Sequence, residues 1–247
     1  LTTEQLPALT SNQIRAMETQ DLRALSTDQL VALTTAQIEK LKTDQLNALT
    51  SDQVPALTTT QVEKLTETQL SALTTTHLLE LQSAQIEALS STQLRAFSSS
   101  HYAALLPDQV KALGDTKLPL LDAADLAGLG SSQVGALNTS QVAVLTTAQL
   151  AVLTTQALSG LDALQVPALT SNQFKSLSTE QINSLSTTQW AVVTTEQIAA
   201  LTSSQIINLP VAKLNQLSQE QLQALTSAQI ESIPTLSLTS LSTNQVA

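Results

Sequence analysis

"LTTAQIEK", Leu33 to Lys40, is followed at once by "LKTDQLNA", Leu41 to Ala48, then by "LTSDQVPA", Leu49 to Ala56, and "LTTTQVEK", Leu57 to Lys64. Cut every eight residues from Leu1, the 247 residues give thirty full octads and a final seven-residue one, "LSTNQVA", with no insertion or deletion. Internal repetition overrides a domain count drawn from length, so the chain reads as one uninterrupted array over 1–247. Position one is Leu except at Met17, Phe97, Val193 and Ile233, and position six is always apolar. Position five is Gln except at Asp21, His77, His101, Lys117, Asp125, Ala157, Lys213 and Ser237.

The phrase has a physical meaning. Thr-x-x-Gln at positions two to five is a capping box, in which the hydroxyl accepts the N–H three residues on and the Gln reaches back to the cap's own N–H. If position two is the N-cap, positions one and six are the apolar pair of a hydrophobic staple. Leu33, Thr34, Gln37 and Ile38 fill all four roles. Carboxylates recur at position four, as at Asp28, Asp44 and Glu196, in the first turn where the helix dipole favours negative charge. Lys and Arg concentrate at positions seven and eight, as at Arg23 and Lys40, although Glu39 and Glu63 break that tendency.

Each octad therefore reads as one helix of about six residues. The expected fold is an all-α solenoid of about thirty very short helices. One continuous helix is excluded, because an eight-residue period keeps no stripe on one side of it. A β-solenoid is the alternative, since position six is rich in Ile and Val. Five glycines in the whole chain are too few for its turns. Pro7, Pro55, Pro119 and Pro167 at position seven strain the helical reading unless the helices end in a 3₁₀ turn.

Such short helices have no stability alone, so the octads must stack. Leu at one, the apolar residue at six and the small residue at eight are expected to line the inside. Two large apolar side chains per octad, at about 1.5–3 kcal/mol each, can offset the ordering entropy. Neither end shows a polar capping repeat, so the ends are expected to be covered by further repeats, another domain or another copy. The stretch 97–130, "FSSSHYAALLPDQVKALGDTKLPLLDAADLAGLG", keeps the phase but often lacks the capping box, and is the least regular part.

Composition narrows the function. Aromatics are 2% and charged residues 12%, with a net charge of −10. A chain with a pI near 4.5 lacks the cationic surface that nucleic acids and anionic membranes select. No apolar run reaches the ~18 residues of a membrane span. Without cysteine there is no disulfide framework and no thiolate metal site. G-x-S-x-G, the P-loop and G-x-G-x-x-G are all absent, and the position-four carboxylates lack a calcium-loop pattern. No catalytic residue and no cofactor are expected.

Only one constellation could carry chemistry. His77 and His101 both replace the position-five Gln, three octads apart, with Asp125 three octads further on. A superhelical turn of three octads would bring them together as a metal or proton-transfer site. The simpler reading makes each His a substitute for a capping Gln. Trp190, Tyr102 and Phe174 fall at position six and read as core.

Arrays of "LTTAQ[IV]xAL" resemble the octad repeats of large secreted or surface-attached bacterial proteins of adhesin-like kind, over the entire chain. The phrase is also similar, more weakly, to the superhelical short-helix repeats of the mesothelin family, from which the strict count of eight departs. These resemblances imply a non-enzymatic structural element outside the cell, such as a stalk, matrix component or filament subunit, or else a scaffold that binds a protein or glycan through positions four and seven. End-to-end self-association is the expected partnership, and the chain reads as a segment of something longer.

Overall fold

In a computed structural model describing residues 1–242 and Gln245, regular structure among the described residues is entirely helical. It consists of twenty-nine α-helices of four to six residues and two 3₁₀ segments of three residues, with no strand. The β-solenoid alternative is thereby excluded. The chain forms two compact units, Leu1–Gly128 and Leu129–Ala247, and the division falls inside the irregular stretch 97–130.

The register is the one the phrase dictates. Thr34 is an N-cap with extended backbone (φ −68°, ψ 155°), and Thr35–Glu39 is its helix. Gln37 N–H donates to Thr34 Oγ1 at 3.3 Å, and Thr34 N–H donates to Gln37 Oε1 at 2.7 Å. The same reciprocal pair recurs at Ser178 and Gln181 in the second unit. At the other end, Leu41 N–H donates to Ile38 O three residues back, a 3₁₀ closure that recurs from octad to octad.

That closure explains the position-seven prolines. Pro7 and Pro119 lie within the 3₁₀ segments Leu6–Ala8 and Leu118–Leu120. Around Pro55 and Pro167 the helices shrink to Gln53–Ala56 and Gln165–Ala168, with the preceding residues only in a turn. Elsewhere the position-seven N–H donates four residues back, as Asn47 to Thr43 O at 2.9 Å, and the proline octads forgo that bond by shortening the helix.

Within each unit, helices pack three along: Ser11–Ala16 on Thr35–Glu39, and Ser171–Ser176 on Thr195–Ala200. Side-chain hydrogen bonds between successive coils mostly span 25 to 31 residues, as Asn47 to Ala72 O and Gln37 to Leu6 O. A coil thus holds about three and a half octads, and each octad sits over the junction of two octads in the coil before. The three-octad turn considered from the sequence is not observed.

The core also differs from expectation at one position. Positions one and six are buried, as at Leu33, Ile38, Leu150 and Leu153. Position eight is only half-buried, and it lies at the rim. There it faces neighbouring backbone: a Cβ on Gly160 would stand 2.0 Å from Ser131 O, and one on Gly128 2.0 Å from Ser99 O. At these two octads the missing side chain lets the coils approach that closely, and the third buried position is five. Trp190, Tyr102 and Phe174 are fully buried, as their register requires. No helix among the described residues is long and apolar enough to cross a membrane.

Candidate functional site: the position-five ladder

A helix leaves its last carbonyls without partners, and many helices answer with a left-handed glycine after the end. Among the described residues the only positive φ is at Gly114, at +72°. The orphan carbonyls are instead satisfied from the next coil. Gln37 Nε2 donates to Leu6 O at 2.9 Å and Leu9 O at 2.7 Å. Gln69 donates to Ile38 O at 3.0 Å and Leu41 O at 2.8 Å. In the second unit Gln181 donates to Leu150 O and Leu153 O, and Gln197 to Val166 O and Leu169 O. Each amide thus accepts within its own octad and donates to the position-six and position-one carbonyls flanking a junction in the coil before.

This double duty dictates the residue type. Glutamate would accept the cap N–H equally well but could not donate, and it would set a charge against carbonyl oxygens. Asparagine lacks the reach. Gln37 and Gln149, at 2% and 1% exposure, are as buried as the leucines beside them. Buried amides are tolerated only when satisfied, and these are.

Three of the exceptions, His101, His77 and Lys213, obey the same logic, whereas Ala157, fully buried, offers neither donor nor acceptor. His101 Nδ1 accepts from Ser98 N–H at 3.0 Å, and its Nε2 lies 2.7 Å from Leu73 O. A neutral imidazole protonated at Nε2 reproduces both functions of the amide. His77 Nε2 lies 3.0 Å from Leu49 O, its Nδ1 faces Thr74 Oγ1, and the Thr74 N–H turns to Asn47 Oδ1. Lys213, a donor with no acceptor, reaches Leu185 O. Its cap is Pro210, which has no N–H to satisfy. Ser237, likewise unable to mimic an amide, also follows a proline cap, Pro234. Burial lowers the Lys213 pKa, and its ammonium stands 4.9 Å over the Trp190 ring, whose Nε1–H donates to Lys213 O at 2.9 Å.

The "ALTTAQ" of Ala32–Gln37 thus names positions eight, one, two, three, four and five: spacer, staple, cap, two first-turn residues and rung. A family model of the ALTTAQ repeat matches residues 14–51, 28–59, 78–115, 120–155 and 166–203, more than half of the chain. The chain belongs to the ALTTAQ-repeat family. No curated protein matches it.

The ALTTAQ ladder also places the His/Asp candidates. His77 and His101 each point at a carbonyl, of Leu49 and Leu73, and the coil period keeps the two imidazoles on different rungs. Asp125 lies at a rung position whose carbonyls are Leu94 O and Phe97 O. A carboxylate cannot donate there, and Tyr102 Oη–H donates to Leu94 O at 3.0 Å instead. Burial chiefly, then the neighbouring Asp122, raises the Asp125 pKa, against the opposing pull of Arg95. Arg95 pairs with Asp122 at 3.2 Å. Among the described residues, no group of three or more His, Asp or Glu side chains could hold a metal ion.

Reading the sequence as a capping box missed the second half of the glutamine's role. A signal was present: a capping box takes Glu as readily as Gln, yet position five is Glu in no octad.

Proposed function

We propose that this chain is a non-enzymatic structural repeat protein, an extended element outside a bacterial cell in a stalk, a matrix or a filament. One observation carries the reading: side chains with catalytic or ligating chemistry, notably His101, His77 and Lys213, are spent holding one coil to the next. The remaining surface is largely Thr, Ser and Ala with scattered charge, suited to an inert spacer. Treating intact producing cells with proteinase K tests the location. Digestion of the chain before lysis supports the proposal, and full protection until lysis contradicts it.

A second reading is a binding scaffold. An open groove of about 710 Å³ in the first unit has in its lining Glu63, at position seven, and Thr68 and Thr92, at position four. A protein and glycan binding screen separates the two readings. Specific binding lost in a Glu63→Ala, Thr68→Ala, Thr92→Ala variant favours the scaffold.

A further inference from the structure

Position five holds two imidazoles in the first unit, and their surroundings differ at one backbone group. His77 is half-buried, with Nε2 on Leu49 O and Nδ1 against the Thr74 hydroxyl. A hydroxyl can donate to Nδ1 or accept from it. The Thr74 N–H does not depend on the ring, because Asn47 Oδ1 takes it at 3.1 Å while Asn47 Nδ2 donates to Ala72 O at 2.7 Å. His101 is 7% exposed, and its Nδ1 accepts the Ser98 N–H at 3.0 Å. Ser98 Oγ also lies 3.0 Å from Nδ1, but among the described residues the Ser98 N–H has no second acceptor. The counterpart of Asn47, 27 residues before the cap, is Ser71, whose Oγ donates to Thr68 O instead.

We infer that octad 97–104 is an acid-sensitive joint: a proton on His101 takes away the acceptor of the Ser98 N–H and frees the start of the helix Ser99–Ala104, whereas His77 takes a proton with its octad intact. Protonation turns the Nδ1 lone pair into an N–H. At His77 that N–H donates to Thr74 Oγ1, and no backbone group loses its partner. At His101 it can reach Ser98 Oγ, but it opposes the Ser98 N–H and brings a charge into a buried site. Nε2–H keeps its bond to Leu73 O in either state, so the coils stay tied and the change is confined to the cap. The helices packed on Ser99–Ala104 carry His77 and Glu80 on Thr75–Glu80, and Asp125 with its cap Asp122 on Ala123–Leu126. Tyr102 lies on the same helix as His101. Among the described residues none of these groups hydrogen-bonds or pairs with the His101 ring. The unfolded chain takes the proton freely below about pH 6.5 and the folded octad resists it, so the octad's stability is full above that pH and falls below it.

Backbone hydrogen exchange of the full chain at about pH 7.5 and about pH 5 tests it, read as protection factors so that intrinsic rates cancel. Amides of 97–104 should lose protection about fivefold in acid, while those of 73–80 keep theirs. His101→Gln should abolish the loss. Ser71→Asn, which copies Asn47 and offers an Oδ1 to the Ser98 N–H, should remove most of it with His101 still in place. Ser71 is exposed, so helicity by circular dichroism at neutral pH should not change. A loss over 97–104 that survives either substitution, or equal losses in the two octads of the unaltered chain, overturns the inference.

Discussion

Gln181 Nε2 donates to Leu153 O, twenty-eight residues behind it, at 2.8 Å, while its Oε1 accepts the Ser178 N–H three residues behind it at the same distance. One side chain thus starts its own helix and finishes another in the preceding coil. Gln181→Glu keeps the first bond and destroys the second, leaving a buried charge against Leu150 O and Leu153 O. The expected loss is about 2–3 kcal/mol. Ser178→Ala removes only the cap hydroxyl and should cost about 1 kcal/mol. Urea titrations followed at 222 nm rank the two, and equal losses would contradict the double role.

Pro210 and Lys213 are coupled through a group that is absent. Lys213→Gln alone introduces a carbonyl oxygen with no cap N–H to accept. Pro210→Thr alone introduces an N–H with no acceptor. Together they rebuild a normal octad, so the double variant should exceed the sum of the singles by about 1 kcal/mol or more in a thermodynamic cycle. Additivity would mean the two substitutions arose independently.

Asp125 should make the fold respond to pH in an unusual direction. Its folded-state pKa is raised, first by burial and then by Asp122. The folded state therefore binds this proton more tightly than the unfolded state does. Stability gains from this group as pH falls through the raised value towards the ordinary carboxylate range. Asp125→Asn should stabilise the chain at neutral pH and remove that part of the pH dependence. Melting temperatures of both chains from pH 7 to 4 provide the check, and parallel curves would contradict the assignment.

His101 should be replaceable by the amide it imitates. His101→Gln restores an acceptor for Ser98 N–H and a donor for Leu73 O, and should change stability by less than about 1 kcal/mol. His101→Leu leaves both backbone groups unpaired in a buried site and should cost about 2 kcal/mol or more. Chemical denaturation of the two variants decides, and a Gln variant as damaged as the Leu variant would point to another role for the imidazole.

The helices, their register and their caps were legible in the sequence, because capping is local: Thr34 and Gln37 are three residues apart and their geometry follows from spacing. The staple positions were legible for the same reason, and so was the burial of Trp190. The coil period was not. Nothing inside one octad says how far it must travel before meeting its neighbour, and three octads per turn fits the phrase as well as three and a half. Position eight was misplaced because smallness has two causes, burial in a core and close approach at a rim, and Gly160 against Ser131 O shows the second. The exceptions at position five looked like candidate chemistry because their partners lie twenty-eight residues away.

The central claim is that the position-five amide ties each coil to carbonyls 28 and 31 residues behind. The most direct measurement is a nuclear Overhauser spectrum of a glutamine-labelled chain, read at the side-chain amide protons of Gln181. Cross-peaks to the α-protons of Leu150 and Leu153 are the result expected. Peaks confined to its own octad, or to residues 24 behind, would contradict it.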